Sequence, residues 1–527
     1  MATTDPRAVN PQASALHAER RAADIQALKD GAHVDVLVVG GGITGAGIAL
    51  DAVTRGLSTV LVERCDLAFG TSRFSSKLIH GGLRYLAKLE FGIARDSAVE
   101  RGWLLETIAP HLVRPLAQVT ALGSDTNLVQ KLATRVGFLA GDVLRMLAGT
   151  STAVLPRSRY ASPAETLRLC PAVKREGLRG AWVNYDGSMI DDARLVTAVA
   201  RTAAREGARV ITRCSAGHLS GTSATLTDEL TGEQFQVHAA AVVNATGVWA
   251  GTVDPDIAIR PSRGTHLVFP SALFGNPTGA LTFPLPGSLS RFLFILPEQL
   301  GRCYLGLTDS DTPGEIPDVP ETPEEDIEFL LAGAREVLNI PLRREDVAGA
   351  FTGLRPLIDA PGGTTADLSR RHAIITADNG VVSVVGGKFT EYRLMAEQTL
   401  DTVITASGLA AGPCVTRTFP LVGAPAHRDS LDVSAAALAD LPESLVARFG
   451  YEAPRVVAEA TVADPLGLVA GMDITRAEIE YAITHEGALT VDDILDRRTR
   501  IGLVPADRQR ALPEVEALFQ QVCGPKP

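Results

Sequence analysis

Val34–Arg64 reads VDVLVVGGGITGAGIALDAVTRGLSTVLVER, and the reading of this stretch decides the first layer of the fold. Asp35–Val39 is a short Val-rich apolar run, the pattern of a strand buried on both faces. Gly40–Gly45 then supplies G-x-G-x-x-G at a strand-to-helix turn. Gly40 and Gly42 let the backbone turn tightly and approach a pyrophosphate, while Gly45 lets helix and strand pack closely. Ile43–Thr54 is helical in pattern and ends at Arg55-Gly56; its N-terminus, worth about half a positive charge, faces the phosphates. Ser58–Val62 reads as a second parallel strand closed by Glu63, about 20 residues past the glycines, where a carboxylate binds a ribose hydroxyl. An acid at that place suits an unphosphorylated adenosine ribose, so the pattern predicts FAD or NAD rather than NADP.

At 527 residues the chain has room for two or three domains, and 46% apolar with 21% charged residues is ordinary globular composition. The net charge of −11 argues against general nucleic-acid binding and requires any anionic substrate to find a local cationic site. Such a site suffices. A charge pair at about 4 Å gains roughly 4 kcal/mol at an effective dielectric near 20, while charges beyond a Debye length of about 8 Å are largely screened. Cys65, Cys170, Cys214, Cys303, Cys414 and Cys523 are scattered without C-x-x-C, the pattern of free thiols in a reducing compartment, with no metal site. The N-terminal stretch lacks an apolar h-region and no run of 18 apolar residues occurs, so a cytoplasmic location is expected.

Outward from the first motif, residues 1–32 read as a mobile or loosely docked helical extension. Phe91–Ile108 is helical in pattern. Asn127–Leu147 sets apolar residues at helical spacing beside Lys131, Arg135 and Arg145. Asp191 caps a helix Ala193–Glu206. Arg209–Cys214 and Val242–Gly247 read as strands, and Ile259–Thr308 breaks into short strands of an antiparallel sheet. Val381–Val385, Gly386-Gly387 and a helix Thr390–Ile404 repeat the strand–glycine–helix junction. Ala411–Ala424 is Pro/Gly-rich and reads as a linker, and roughly 430–520 has helical periodicity throughout.

With these elements set out, the chain resembles the flavin-dependent glycerol-3-phosphate dehydrogenases, within the wider glycine-oxidase/D-amino-acid-oxidase group. VVGGGITGAGIALDA resembles the family's nucleotide turn and TSRFSSKLIHGGLRYL its active-site loop. YDGSMIDDARLV, VVNATGVWA, RGTHLVFP, LGLTDSD, FTGLRPL, VVGGKFTEYR and THEGALTVDDILDRRTR follow in order, so the likeness spans about residues 33–510. SSKLIHGGLRYL and GGKFTEYR are its specific parts; Arg73-Phe74 depart from the small residues common among relatives. The implied fold class is α/β: a Rossmann-like FAD-binding domain, an antiparallel-sheet substrate domain and a C-terminal all-α domain. The boundaries are an extension (1–32), FAD-binding segments (33–110, 186–258 and 351–408), a cap region (111–185), the substrate sheet (259–350), a linker (409–428) and a helical domain (429–527).

The resemblance implies FAD as cofactor and oxidation of sn-glycerol 3-phosphate to dihydroxyacetone phosphate, with electrons passed to quinone from the inner face of the cytoplasmic membrane. Related oxidases share this half-reaction and use oxygen, and the residues leave that choice open; a non-catalytic flavin-binding sensor is the alternative of a different class. A second copy of the chain, as a homodimer, is the remaining implied partner. Asn127–Leu147 either meets the membrane through its basic residues or packs on its own domain's sheet. Carried over by position, Arg84, Tyr85, Arg371 and Lys388 hold the phosphate and glycerol hydroxyls, with Thr308 beside them. His80, His266 and Arg355 surround C2 and, with Lys388, form the catalytic set. His266 leads His80 as general base, and Arg355 stabilises the developing alkoxide. Thr71, Ser72 and Ser76 offer hydroxyls to pyrophosphate or flavin, and Ala245-Thr246-Gly247 lets backbone approach the ring. The helix after Gly386 and Gly387 aims its N-terminus at flavin N1/C2=O.

Overall fold

The computed structural model describes residues 11–82, 85, 90–124, 128–285, 292–358 and 371–524. The Val-rich run forms the strand Val36–Val39, at the centre of a six-stranded sheet. Thr59–Glu63 and Ala241–Asn244 flank it, both parallel to it. Arg209–Thr212 extends one side in parallel and Val382–Gly386 the other, where His372–Thr376 closes the edge antiparallel. Chain leaving Val36–Val39 goes first to one neighbour and later returns to the other, which opens a crevice at the carboxyl ends of the strands.

Both faces of this sheet are covered, and for that reason its strands read as continuous apolar runs. On one face the helix Ile43–Thr54 packs between Asp192–Arg205 and Tyr392–Ser407. Asp191 caps Asp192–Arg205 by accepting the Arg194 N–H at 3.0 Å, as the sequence predicts. The other face meets the helix Ala18–Lys29 and a small sheet of Cys214–Ser220, Ser223–Asp228 and Gln234–His238.

A second, ten-stranded and mainly antiparallel sheet lies beside the crevice. It is wider than the 259–350 segment expected to form it. Val113–Ala121 pairs along its length with Ala181–Met189 and joins Ala280–Pro284 in parallel, so cap and substrate segments share one sheet. The helix Glu324–Arg335 packs on its far face through Leu330 and Leu331, against Leu267, Phe269, Leu293 and Ile295. The near face looks into the crevice.

Two segments expected to be loose are docked. Arg21 donates to the carbonyls of Thr212 (2.6 Å) and Arg213 (2.8 Å) and pairs with Asp228, while the Leu16 N–H donates to the His485 carbonyl and the Leu16 carbonyl accepts from the Gly487 N–H of the C-terminal unit. Within 411–424, Leu421 and Val422 are buried in the main core, and the Val422 N–H donates to the Thr202 hydroxyl at 3.0 Å. Apolar residues in a Pro/Gly-rich setting decide its packing. Beyond it, short helices and one long one, Pro505–Cys523, enclose their own core around Ile479, Ile494 and Val515.

Candidate active site

The crevice widens into a cavity of about 1760 Å³ running from the Gly40–Gly42 turn to the near face of the second sheet. Its nucleotide end is shaped by glycine. A Cβ on Gly40, which has φ +116°, would stand 2.5 Å from the Ala245 carbonyl; one on Gly45 would stand 1.8 Å from the Gly40 carbonyl. Gly42 caps the helix Ile43–Thr54, and the Ile43 N–H donates to the Ser72 hydroxyl at 3.0 Å. Glu63 accepts N–H bonds from Gly41 (2.6 Å) and Cys65 (2.8 Å); burial raises its pKa against the pull of those bonds. Thr71 donates to the Leu354 carbonyl at 2.6 Å. Ala245, Gly247, Gly386 and Gly387 line the middle, the last three with positive φ.

The floor comes from Ile259–Pro270 and Gly349–Ile358, which pair antiparallel with His266 opposite Phe351 and Ser262 opposite Arg355. Side chains two residues apart share a face, so Gly264 and Gly353 fall between His266 and Arg355 on the cavity side. A Cβ on Gly264 would meet Arg355 Nη2 at 2.3 Å, and one on Gly306 the His266 ring at 2.2 Å. The glycines clear a flat place beside a cation and an imidazole. Arg355 is held by the Ser262 hydroxyl (3.1 Å), the Thr308 carbonyl (3.3 Å) and Asp309 (3.5 Å). His266 is buried, stacks on Phe351 at 4.8 Å and is hydrogen-bonded through Nε2 to Ser76 at 2.9 Å. Burial first, then the charges of Lys77 and Arg355, hold its pKa well below the ordinary 6.5.

His80 lies in different surroundings. Its side chain is half exposed, with Nδ1 3.6 Å from Asp186, which Arg101 grips at 2.6 Å. Lys388 donates to Glu391 (2.6 Å) and Ser97 (2.8 Å), with its ammonium 4.0 Å from the Tyr85 ring centre. His80, Tyr85, His266, Arg355 and Lys388 thus meet around one cavity. Thr308 does not join them: its hydroxyl accepts the Thr265 N–H at 2.9 Å and donates to Asp326, leaving its carbonyl to face Arg355. Arg371 is exposed, next to the strand pairing of His372 with Gly386. Arg84 lies outside the described residues.

Residues 35–420 match the FAD dependent oxidoreductase family, and residues 414–526 match the C-terminal domain of alpha-glycerophosphate oxidase. Glycerol-3-phosphate dehydrogenase 1 of Mycobacterium tuberculosis is 57% identical over 507 residues, covering 95% of this chain and 98% of that one. The chain belongs to the FAD-dependent glycerol-3-phosphate dehydrogenase family. The crystal structure of such a dehydrogenase from Bacillus halodurans, complexed with FAD, superposes with a TM-score of 0.74 at 26% identity, covering 97% of this chain and 95% of that one. L-alpha-glycerophosphate oxidase from Mycoplasma pneumoniae shares the fold, with a TM-score of 0.55 at 18% identity over 74% of this chain and 99% of that one.

The residues of this dehydrogenase-family chain suit FAD. Three strand–glycine–helix or strand–glycine turns, at Gly40–Gly42, Gly247 and Gly386-Gly387, bring backbone to the cavity where side chains would fill it. The cavity also exceeds the roughly 300–1,000 Å³ of an ordinary small-molecule pocket, leaving room for a dinucleotide and a small alcohol. Three supporting groups escape a reading of motifs. Lys77 is buried and pairs with Asp192 at 2.8 Å, Asp186 joins Arg101 to His80, and Ser97 with Glu391 holds Lys388. Lys77 and Asp186 stand inside the quoted SSKLIHGGLRYL and YDGSMIDDARLV stretches, the signal that could have marked them.

Proposed function

We propose that this chain oxidises the C2 alcohol of sn-glycerol 3-phosphate to dihydroxyacetone phosphate and passes the electrons to a quinone at a membrane surface. The observation that carries this reading is the meeting of His266 and Arg355, on a glycine-cleared floor, with His80 and Lys388 around one cavity at the end of a dinucleotide crevice. Bound FAD supplies the acceptor for the hydride leaving C2. Lys388, lying beside Tyr85, meets the phosphate as a point charge; Arg84 and Arg371 are assigned to the same anion by motif. Arg355, fixed by Asp309 and the Thr308 carbonyl, stabilises negative charge on the C2 oxygen.

The proton acceptor is assigned to His80 rather than His266. A proton on His266 would place a third cation beside Lys77 and Arg355 in a buried setting, whereas His80 has Asp186 at its back. Neutral His266 serves to orient the substrate hydroxyl. Reduction of the bound flavin by sn-glycerol 3-phosphate without oxygen tests this reading.

The helix Leu128–Leu147 supports the membrane and quinone parts. Its outward face exposes Leu132, Val136, Leu139, Val143, Met146 and Leu147, from 45% at Leu139 to 67% at Leu147. Gly137 and Phe138 of the same helix line the cavity, as do Leu281 and Phe283 of the second sheet. Apolar residues on both sides of one helix suit a lipid-soluble acceptor reached from a bilayer. Two of the three basic residues are otherwise engaged: Arg145 is buried on the Thr150 carbonyl, and Arg135 donates to Ser158 and covers Trp182. The lipid contact is therefore assigned to the apolar stripe. Among the described residues no helix is long and apolar enough to cross a membrane. Reoxidation of the reduced protein by a soluble quinone, timed against oxygen, tests the acceptor.

A further inference from the structure

Arg497, Arg498 and Arg500 belong to the C-terminal helical unit but are buried against the FAD-binding domain. Arg497 and Arg498 close on Asp66 at 2.5 and 2.8 Å, just beyond Glu63. Arg500 lies 3.1 Å from Asp191 and donates through Nη2 to the Arg73 carbonyl at 2.5 Å. Its own carbonyl accepts from Arg302 at 2.8 Å, which ties it to the substrate sheet. Behind it, Leu503 and Val504 complete a small apolar core with Val268, Tyr304 and Phe351. Phe351 is the ring on which His266 stacks. The loop held by Arg500 carries Ser76, bonded to His266, and Lys77, whose ammonium donates to Asp192 (2.8 Å) and to the same Arg73 carbonyl (3.2 Å).

From this arrangement we infer that the C-terminal unit is part of the active site at one remove, with Arg500 the positioning residue that holds the 73–77 loop and, through Ser76, the His266 ring. The inference goes beyond the oxidation itself and holds whichever alcohol is oxidised. A guanidinium holds its partners through a rigid planar fork; a lysine keeps the charge but is a flexible point donor that lacks this geometry. Buried ion pairs add little net stability over apolar replacements, so geometry is the expected gain.

The test uses the full-length holoprotein carrying Arg500→Lys, set beside Arg448→Lys. Arg448 pairs with Glu478 at 2.5 Å wholly inside the C-terminal unit. Two quantities are read: amide hydrogen exchange in peptides covering 71–79, and the anaerobic rate of flavin reduction at saturating sn-glycerol 3-phosphate. Arg500→Lys is expected to raise exchange in 71–79 and slow reduction at least tenfold at full FAD content. Arg448→Lys is expected to lower Tm and change neither. Unchanged exchange in Arg500→Lys overturns the inference, as does equal slowing in both variants, which would mark general destabilisation. Should Arg500→Lys fail to fold, Leu503→Ala takes its place with the same readings and the same expected outcomes. A parent flavin that the alcohol does not reduce contradicts the proposed function, and the exchange arm alone then decides the role of Arg500.

Discussion

Nε2 of His266 lies 2.9 Å from the hydroxyl of Ser76, and the ring is enclosed between Phe351 and the bare backbone of Gly306. Burial together with the charges of Lys77 and Arg355 holds this imidazole neutral, because its pKa is depressed well below 6.5. The sign matters for kinetics. A group with a depressed pKa keeps its deprotonated function at all pH values above that pKa and loses it only well into acid. An acid limb at or above the ordinary 6.5 therefore belongs to another group.

His80→Asn is accordingly expected to slow flavin reduction by about 10²–10⁴-fold, the usual contribution of a general base. His266→Asn is expected to slow it less and to leave any acid limb of kcat/KM in place. Profiles of both variants between about pH 5.5 and 8.5 check the assignment. A limb abolished by His266→Asn and retained in His80→Asn contradicts it.

Gly264→Ala tests the cleared floor without touching a charge. The new methyl would stand 2.3 Å from Arg355 Nη2, so the guanidinium has to move. Turnover is expected to fall at least tenfold, about 1.4 kcal/mol in the barrier, with FAD content unchanged. Absorbance ratios of the purified variant report that content directly.

Lys388→Met removes a cation facing the anion end while keeping much of the side chain's length. A charged hydrogen bond to an ionised partner is worth about 1.5–3 kcal/mol, so KM for sn-glycerol 3-phosphate is expected to rise roughly 10–150-fold. Inorganic phosphate, as a competitive inhibitor, should weaken in parallel. Equal inhibition of parent and variant by phosphate would place the anion elsewhere.

Much of the first domain was legible because steric rules leave few choices. Gly40 and Gly45 stand where a Cβ would strike backbone, and the helix between Ile43 and Thr54 begins and ends where its glycines and Arg55 demand. Long-range choices were not legible. Nothing in Val113–Ala121 announces that it joins Ala280–Pro284, since strand partners are selected by packing on a shared face. Nothing in the sequence around Arg20 and Arg21 announces that both donate to main-chain carbonyls of distant segments. Periodicity showed that Leu128–Leu147 is amphipathic without showing which side faces out. Within the site, His266, Arg355 and Lys388 converge, while Thr308 turns its hydroxyl to Asp326. Lys77, Asp186 and Ser97 act through partners far away in sequence, and spacing alone carries no trace of them.

The apolar stripe gives a separable outcome. Leu132→Ser, Val136→Ser, Leu139→Ser and Val143→Ser, combined, are expected to release the protein from vesicles while leaving flavin reduction within about twofold. Each buried CH₂ lost from a membrane contact costs about 0.8 kcal/mol, so partition should fall by orders of magnitude. Lys131→Glu alone should change binding little. Sedimentation with vesicles of mixed neutral and anionic lipid reads both.

The most direct measurement is an anaerobic titration of the purified holoprotein with sn-glycerol 3-phosphate, followed at the flavin absorption bands. The bands are expected to bleach, with one dihydroxyacetone phosphate formed per flavin and no bleaching by glycerol at the same concentration. A flavin that stays oxidised, or that glycerol reduces equally well, would contradict the claim that a phosphorylated alcohol is held by cations beside the ring.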